Sequence, residues 1–219
     1  MRVAIFDFDG TLYEKETFQI LMDHLKNHPV QHTQYNRFFR WIAPRFAAYK
    51  MKVYPEARMK ERSMQRYISV LDGLSKNELE NFFKEVAVKM EKDFNPLVVS
   101  KLEQHIADDV HVMLVSGAYT IFVEAATNKL RFDTIIGSDI PFNGQDIDKD
   151  KSIYHINGTR KNDKIHESLA GKDIDWSNSF AYADSYSDLP VLELVGNPVA
   201  VQPEPRLRTI AIERGWKVI

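Results

Sequence analysis

Five short runs in this chain read as strands, and most of them are apolar on consecutive residues: Val3 to Phe8, Val110 to Val115, Thr134 to Ile136, Phe180 to Ala183 and Pro198 to Val201. A strand with one wet face alternates apolar and polar residues, whereas a strand covered on both faces does not. Helical patterns separate these runs at Thr120 to Leu130, Lys164 to Leu169, Ser187 to Leu194 and Arg206 to Arg214. Strand and helix in alternation imply right-handed crossovers and a parallel sheet. The expected fold class is therefore α/β, a parallel sheet flanked by helices.

The stretch from about Phe18 to Asp93 breaks this rhythm. It carries helical periodicity, as in Phe82, Phe83, Val86 and Met90, and no convincing strand. Pro29, Pro44, Pro55 and Gly73 divide it into several helices. It is read as an all-helical insertion after the first strand, giving a core of residues 1–15 and 92–219 and a helical cap of residues 16–91. Asn143-Gly144 signals a small hairpin between about residues 139 and 156.

Bulk properties narrow the chemistry. The chain has 219 residues, 44% of them hydrophobic and 27% charged, which suits a globular protein with a well-buried core. A net charge of -2 gives no reason to expect a nucleic-acid or membrane partner for the whole molecule. There is no cysteine, which excludes disulfides, thiolate metal sites and a cysteine nucleophile, and fits a cytoplasmic setting. The run Val3 to Phe6 is broken at once by Asp7 and Asp9, so no secretory leader is expected there.

Chemistry-bearing residues gather at strand ends. Asp7-Phe8-Asp9-Gly10-Thr11 closes the first run, where open parallel sheets bind ligands. Two carboxylates two apart on a strand share a face, which is costly without a cation nearby. Asp184-Ser185-Tyr186-Ser187-Asp188 follows Phe180 to Ala183 and adds two further acids; a helix cap would account for only one of them. Such an all-oxygen set suits magnesium rather than zinc. Ser116-Gly117 follows Val110 to Val115 and offers a hydroxyl and an open backbone N–H to a phosphate. Lys164 stands behind Asn162-Asp163 at an expected helix start, where a lysine opposes the helix dipole unless an anion is bound; Lys161 competes for the same role.

The order Asp-x-Asp-Gly-Thr, Ser-Gly, Lys and Asp-Ser-x-Ser-Asp-Leu-Pro resembles the haloacid dehalogenase superfamily. Asp184 to Pro190, Gly196 to Val201 and Pro205 to Arg208 resemble its phosphoserine-phosphatase-like branch. The resemblance implies a Rossmann-like core and a Mg²⁺-dependent phosphatase acting on a small phosphate ester. It makes Asp7 the nucleophile that becomes an aspartyl-phosphate, and Asp9 the general acid and base. It gives Mg²⁺ to the Asp7 carboxylate, the Asp9 backbone carbonyl and Asp184, with Asp188 in support. It gives the phosphoryl oxygens to Ser116, Lys164 and the N–H groups of Phe8 and Gly117. Glu16, nine residues after Asp7, matches the glutamate that faces the substrate amine in phosphoserine phosphatases, although Gly10 stands where those enzymes commonly carry serine. A phosphotransferase or mutase on the same fold, and a non-catalytic adaptor for anionic surfaces, are the competing readings.

Two features of the insertion lie outside that pattern. His24, His28 and His32 recur at helical metal-ligand spacing, but Pro29 interrupts them, and exposed histidines are expected. Between Tyr35 and Tyr67 there are nine Lys or Arg against Glu56 and Glu61, a net +7 that leaves -9 for the rest of the chain. Phe38, Phe39, Trp41, Phe46, Tyr49 and Tyr54 are interleaved with these charges. Such a face could attract an anionic substrate, a membrane surface or nucleic acid; the favoured expectation is that the aromatics pack a small helical core and the basic faces are solvated.

Overall fold

The computed structural model describes residues 1–219, the side chain of Glu56 excepted. The elements run β1 (Val3–Phe6), α1 (Thr17–Asn27), α2 (His32–Lys50), α3 (Glu56–Val70), α4 (Lys76–Met90), α5 (Pro96–Ala107), β2 (His111–Tyr119), α6 (Thr120–Ala126) and β3 (Thr134–Ser138). There follow β4 (Phe142–Asn143), β5 (Asp146–Ile147), α7 (Thr159–Ser168), β6 (Phe180–Ala183), α8 (Leu189–Leu192), β7 (Asn197–Ala200), α9 (Pro205–Glu213) and β8 (Lys217–Val218).

Six strands form one sheet in the order β3-β2-β1-β6-β7-β8, every pairing parallel. The lack of alternation in the apolar runs has its cause here. Ala4 and Phe6 belong to the apolar cluster on one face, with residues of α5 and α6; Val3 and Ile5 belong to that on the other, with residues of α7, α8 and α9. In β1 no residue is more than 1% exposed. A central strand of this kind brings its carboxyl end to the middle of the sheet edge.

Four helices, α1 to α4, fill the space between β1 and α5, where the insertion was expected. They share one continuous apolar cluster with a sheet face: Phe83 of α4 stacks on Tyr119 and meets Phe122 edge-on, and Tyr67 of α3 stacks on Tyr119. Helix α4 starts on a reciprocal cap, Ser75 Oγ accepting the Glu78 N–H and the Glu78 carboxylate accepting the Ser75 N–H.

Some boundaries differ from the sequence expectation. Pro44 lies inside α2 and does not divide it; a proline removes one N–H donor, and the rest of a 19-residue helix tolerates the loss. Strand β2 runs on through Ser116 and Gly117 to Tyr119, with a register irregularity against β3 after Val115. The hairpin is present but pairs only Phe142 with Ile147 and Asn143 with Asp146, so Gly144, at φ +62°, is the first of its two loop residues. His24 is buried, against the expectation, with its ring 4.6 Å from that of Phe82.

Candidate active site

Because the sheet is parallel, the residues that follow β1 and β6 emerge at the same edge. Asp7 comes directly after β1 and donates its N–H to Tyr182 O of β6, at 2.9 Å. Continuing the alternation of β1, it turns toward the face that holds α7, and there its carboxylate meets a buried lysine. That lysine is Lys161. Its Nζ lies 2.6 Å from Asp7 Oδ1 and 2.5 Å from Asp188 Oδ1, and the side chain is 6% exposed.

Lys164, by contrast, is not brought to Asp7. It lies on the surface and pairs with Glu167 one turn on, at 2.6 Å. The reason is helix register. The expectation began this helix at Lys164, whereas α7 begins at Thr159 behind Gly158, which adopts φ +52°. The buried face of α7 is then Lys161 and Ile165, four apart, and Lys164 falls off it. The lysine in the first turn of α7 is Lys161, and the carboxylates of Asp7 and Asp188 are its anionic partners.

The acids form a tight group. One carboxylate oxygen from each of Asp7, Asp184 and Asp188 lies within 4.8 Å of the other two. Thr11 donates to Asp184 Oδ1 at 3.4 Å, and Ser185 Oγ donates to Asp188 Oδ2 at 3.0 Å. Burial pushes the Asp7 carboxyl well above its usual range; Lys161 opposes this, and Asp188 and Asp184 add to it. Asp184 is pushed up to about 6, by burial and then by Asp188. Burial alone would lower the Lys161 ammonium, but Asp188 and Asp7 outweigh it and hold the group above its ordinary value. One ammonium thus faces three carboxylates. This surplus of hard oxygen donors is the donor set that a divalent cation such as Mg²⁺ requires, so the residues fit that ion.

Asp9 stands apart from the trio. Its Oδ1 accepts the N–H of Thr17 at 2.9 Å and a short bond from the Thr17 hydroxyl, so it ties the β1 loop to the first residue of α1. Burial lifts it to about 7, the Thr17 bonds oppose the rise, and the charge of Glu16 assists it. Glu16 is the exposed residue just before α1 and makes no side-chain cap bond. Its charge also raises Asp184, so it acts on the same space. Gly10 sits at φ +71°, and a Cβ there would collide with the Asp184 carboxylate, so glycine is needed both for the turn and for the approach.

Ser116 is buried, with its Oγ accepting the Ala118 N–H at 3.0 Å. A Cβ on Gly117 would come 3.2 Å from Ile156 O, tighter than ordinary contact. Phe8 is fully buried on the opposite face, stacked on Tyr13. Thr17 was not singled out from the sequence, and Thr11 was named only within the Asp7 to Thr11 segment, without a role of its own. The signal for Thr17 was available, as a threonine directly behind a glutamate at an expected helix start. Thr11 shows itself only once Asp184 is placed beside it.

A second cluster resembles a metal site by type alone. His24 and His28 Nε2 lie 3.4 and 3.6 Å from Glu85 Oε2. Yet His28 Nδ1 accepts the N–H groups of Val30 and Gln31, and His24 Nδ1 lies 2.8 Å from the Lys89 ammonium. Both Nδ1 atoms are thus already engaged within the protein, and His24 Nε2 is buried without a hydrogen-bond partner.

Residues 4–193 match the family described as haloacid dehalogenase-like hydrolase. A curated relative, the inhibition of morphological differentiation protein of Streptomyces azureus, is 28% identical over 177 residues, covering 78% of this chain and 64% of its own length. The histidinol-phosphatase of Neisseria meningitidis is 27% identical over 161 residues, 70% of this chain and 71% of that protein. A crystal structure of a Bordetella pertussis protein of unknown function superimposes with a TM-score of 0.83 at 22% identity, covering 100% of this chain and 97% of that one.

Proposed function

This chain belongs to the haloacid dehalogenase-like hydrolases, and on that premise we propose that it is a Mg²⁺-dependent phosphatase of a small phosphomonoester. The observation that carries the reading is the Asp7 carboxylate at the end of the central strand, bound to buried Lys161 and grouped with Asp184 and Asp188. Asp7 is the nucleophile. Its oxygen forms a bond to phosphorus as the ester oxygen leaves, giving an aspartyl-phosphate that water then hydrolyses. Asp9, raised to about 7, holds a proton near neutrality; it gives this to the leaving alkoxide and later takes one from the attacking water. Thr17 fixes Asp9 for both steps.

Lys161 replaces Lys164 in the proposal, as the cation that holds the phosphoryl oxygens together with Ser116 and the N–H groups of Phe8 and Gly117. Asp7, the Asp9 carbonyl and Asp184 would hold Mg²⁺, with Asp188 behind them, and the bound ion supplies positive charge against two anionic partners. Residues 16–91 act as a cap over a core of residues 1–15 and 92–219 and limit the entry of water. The substrate carries an amine facing Glu16, as phosphoserine does; the histidinol phosphate named for the Neisseria relative is also an amino phosphate ester. The absence of cysteine favours a cytoplasmic setting.

A screen of phosphorylated metabolites with Mg²⁺ present tests this, read as phosphate release with and without EDTA. Turnover should vanish on chelation, return with Mg²⁺ and return poorly with Ca²⁺. Asp7→Asn should fold normally and be inactive. Full turnover by that variant, or after exhaustive chelation, would falsify the assignment.

A further inference from the structure

Within the helical insertion, residues 24–55 contain no aspartate or glutamate and six basic residues: Lys26, Arg37, Arg40, Arg45, Lys50 and Lys52. The chain holds 31 acids in 219 residues, so a stretch of 32 would ordinarily hold four or five (32 × 31/219). The absence is therefore a real segregation of charge. Whole-chain neutrality hides it, because the compensating acids lie elsewhere.

The structure shows what accompanies this charge. The expectation that the aromatics pack inward holds for Phe38, which is fully buried, and for Trp41, Tyr49 and Tyr54, which pack partly buried against the same core, but not for Phe39 and Phe46. Phe39 and Phe46 are 50% and 48% exposed, and Val30, Met51 and Val53 are all at least 70% exposed. These five large apolar side chains mark out α2 from end to end, a row about 30 Å long at 1.5 Å per residue. Phe39, Phe46 and Lys50, at spacings of seven and four, share one edge of the helix, and Arg40 and Arg37 follow around its outer surface. Among the described residues Arg37, Arg40, Lys50 and Lys52 make no ion pair, and Lys50 instead lies over the rings of Phe46 and Tyr49.

We propose that the outer face of α2, with Val30 before it and Met51 to Val53 after it, docks on an anionic lipid bilayer. The apolar row would enter the headgroup boundary while the unpaired cations meet lipid phosphates. Three observations favour this occupant. A basic helix with exposed phenylalanine and aliphatic side chains is the composition of an interfacial helix. A nucleic acid could stack on Phe39 and Phe46 but would leave Val30, Met51 and Val53 uncovered, whereas hydrocarbon buries all five. A second copy related by a two-fold axis through this face would bring two acid-free cationic faces together, which like charge opposes. The inference is independent of the reaction proposed above.

Flotation of the full chain with vesicles tests it. Vesicles of phosphatidylcholine alone are compared with vesicles containing about 30% phosphatidylglycerol, at low and high salt. Capture should need the anionic lipid and weaken as salt shortens the screening length. Arg37→Gln with Arg40→Gln and Lys50→Gln should weaken partition on the order of 100-fold, at roughly fivefold per cation. Phe39→Ser with Phe46→Ser should weaken it on the order of tenfold. Both sets change exposed residues, and unaltered thermal melts would confirm folding. Failure to float at low salt, equal capture by neutral vesicles, or indifference to both variants overturns the proposal. So does complete competition by an oligonucleotide of matched charge, or a dimer in light scattering that Phe39→Ser and Phe46→Ser dissolve.

Discussion

Replacing Lys161 and Lys164 by methionine, one at a time, separates the two lysines that the sequence leaves in competition. Lys161 is the cation between buried Asp7 and Asp188. Removing one partner of such a buried group leaves uncompensated charge and costs about 3–5 kcal/mol. Lys164 forms a surface pair with Glu167, worth about 0–0.5 kcal/mol. Urea unfolding in metal-free buffer should therefore show a large loss for Lys161→Met and almost none for Lys164→Met. The loss should also depend on pH. Without the lysine, the carboxyl of Asp7 rises further above its unfolded value, so the folded variant binds protons more tightly than the unfolded chain. Its deficit should shrink as pH falls from 8 toward 5. Turnover of p-nitrophenyl phosphate with Mg²⁺ should collapse for Lys161→Met and persist for Lys164→Met. The reverse pattern, or equal stability of the two variants at pH 8, would refute the placement.

Gly10→Ala should lower turnover severely, because a left-handed backbone and the Asp184 carboxylate both oppose a Cβ; the check is kcat with stability measured alongside. Glu16→Gln should cut kcat/KM for an amino phosphate ester by about 1.5–3 kcal/mol and hardly alter a matched ester without the amine; equal effects on both would reduce Glu16 to a helix-end charge. His24 is held down to about 4 by burial, Lys89 and His28. The unfolded chain takes that proton first, so the stability His24 contributes is present above about pH 6.5 and lost as pH falls toward 4. Between pH 7.5 and 5 this amounts to at most about 2 kcal/mol, and His24→Asn should lose that much less over the range in denaturant titrations.

The parallel sheet was legible because burial on both faces writes itself into consecutive apolar residues, as in Val3 to Phe6. Its acids were legible because Asp7 and Asp184 directly follow apolar strands. Registers on helices were harder to read. Nothing local fixes the start of α7 at Thr159, since its cap is Gly158 in an unusual conformation and not a serine or aspartate. A start five residues earlier than expected brings Lys161, not Lys164, to Asp7. The insertion was legible as helical but not in its faces. Phe38 and Phe39 are adjacent phenylalanines, one buried and one half-exposed, and only the packing of α2 on its neighbours distinguishes them. His24 was misjudged for the same reason, since its partners Lys89 and Phe82 lie on a helix far along the chain.

Several of the local rules that this chain breaks are broken together at the carboxyl edge of its central strands. Asp7, Asp9 and Asp184 are all held above the usual carboxylate range, with burial the largest cause in each case. A lysine sits in the first turn of α7 against the helix dipole, and Gly10 takes a left-handed turn within contact of an acid. Each feature lowers stability by itself. Other elements follow ordinary practice: Ser75 and Asn95 cap their helices, Pro96 opens α5, and β1 is apolar throughout. At the carboxyl edge of the central strands several such departures coincide, which is where chemistry can use them. Desolvated carboxylates without enough countercharge are a poor structural device. Under the proposed function they are one half of an interaction whose other half, a cation and a phosphate ester, arrives from solution.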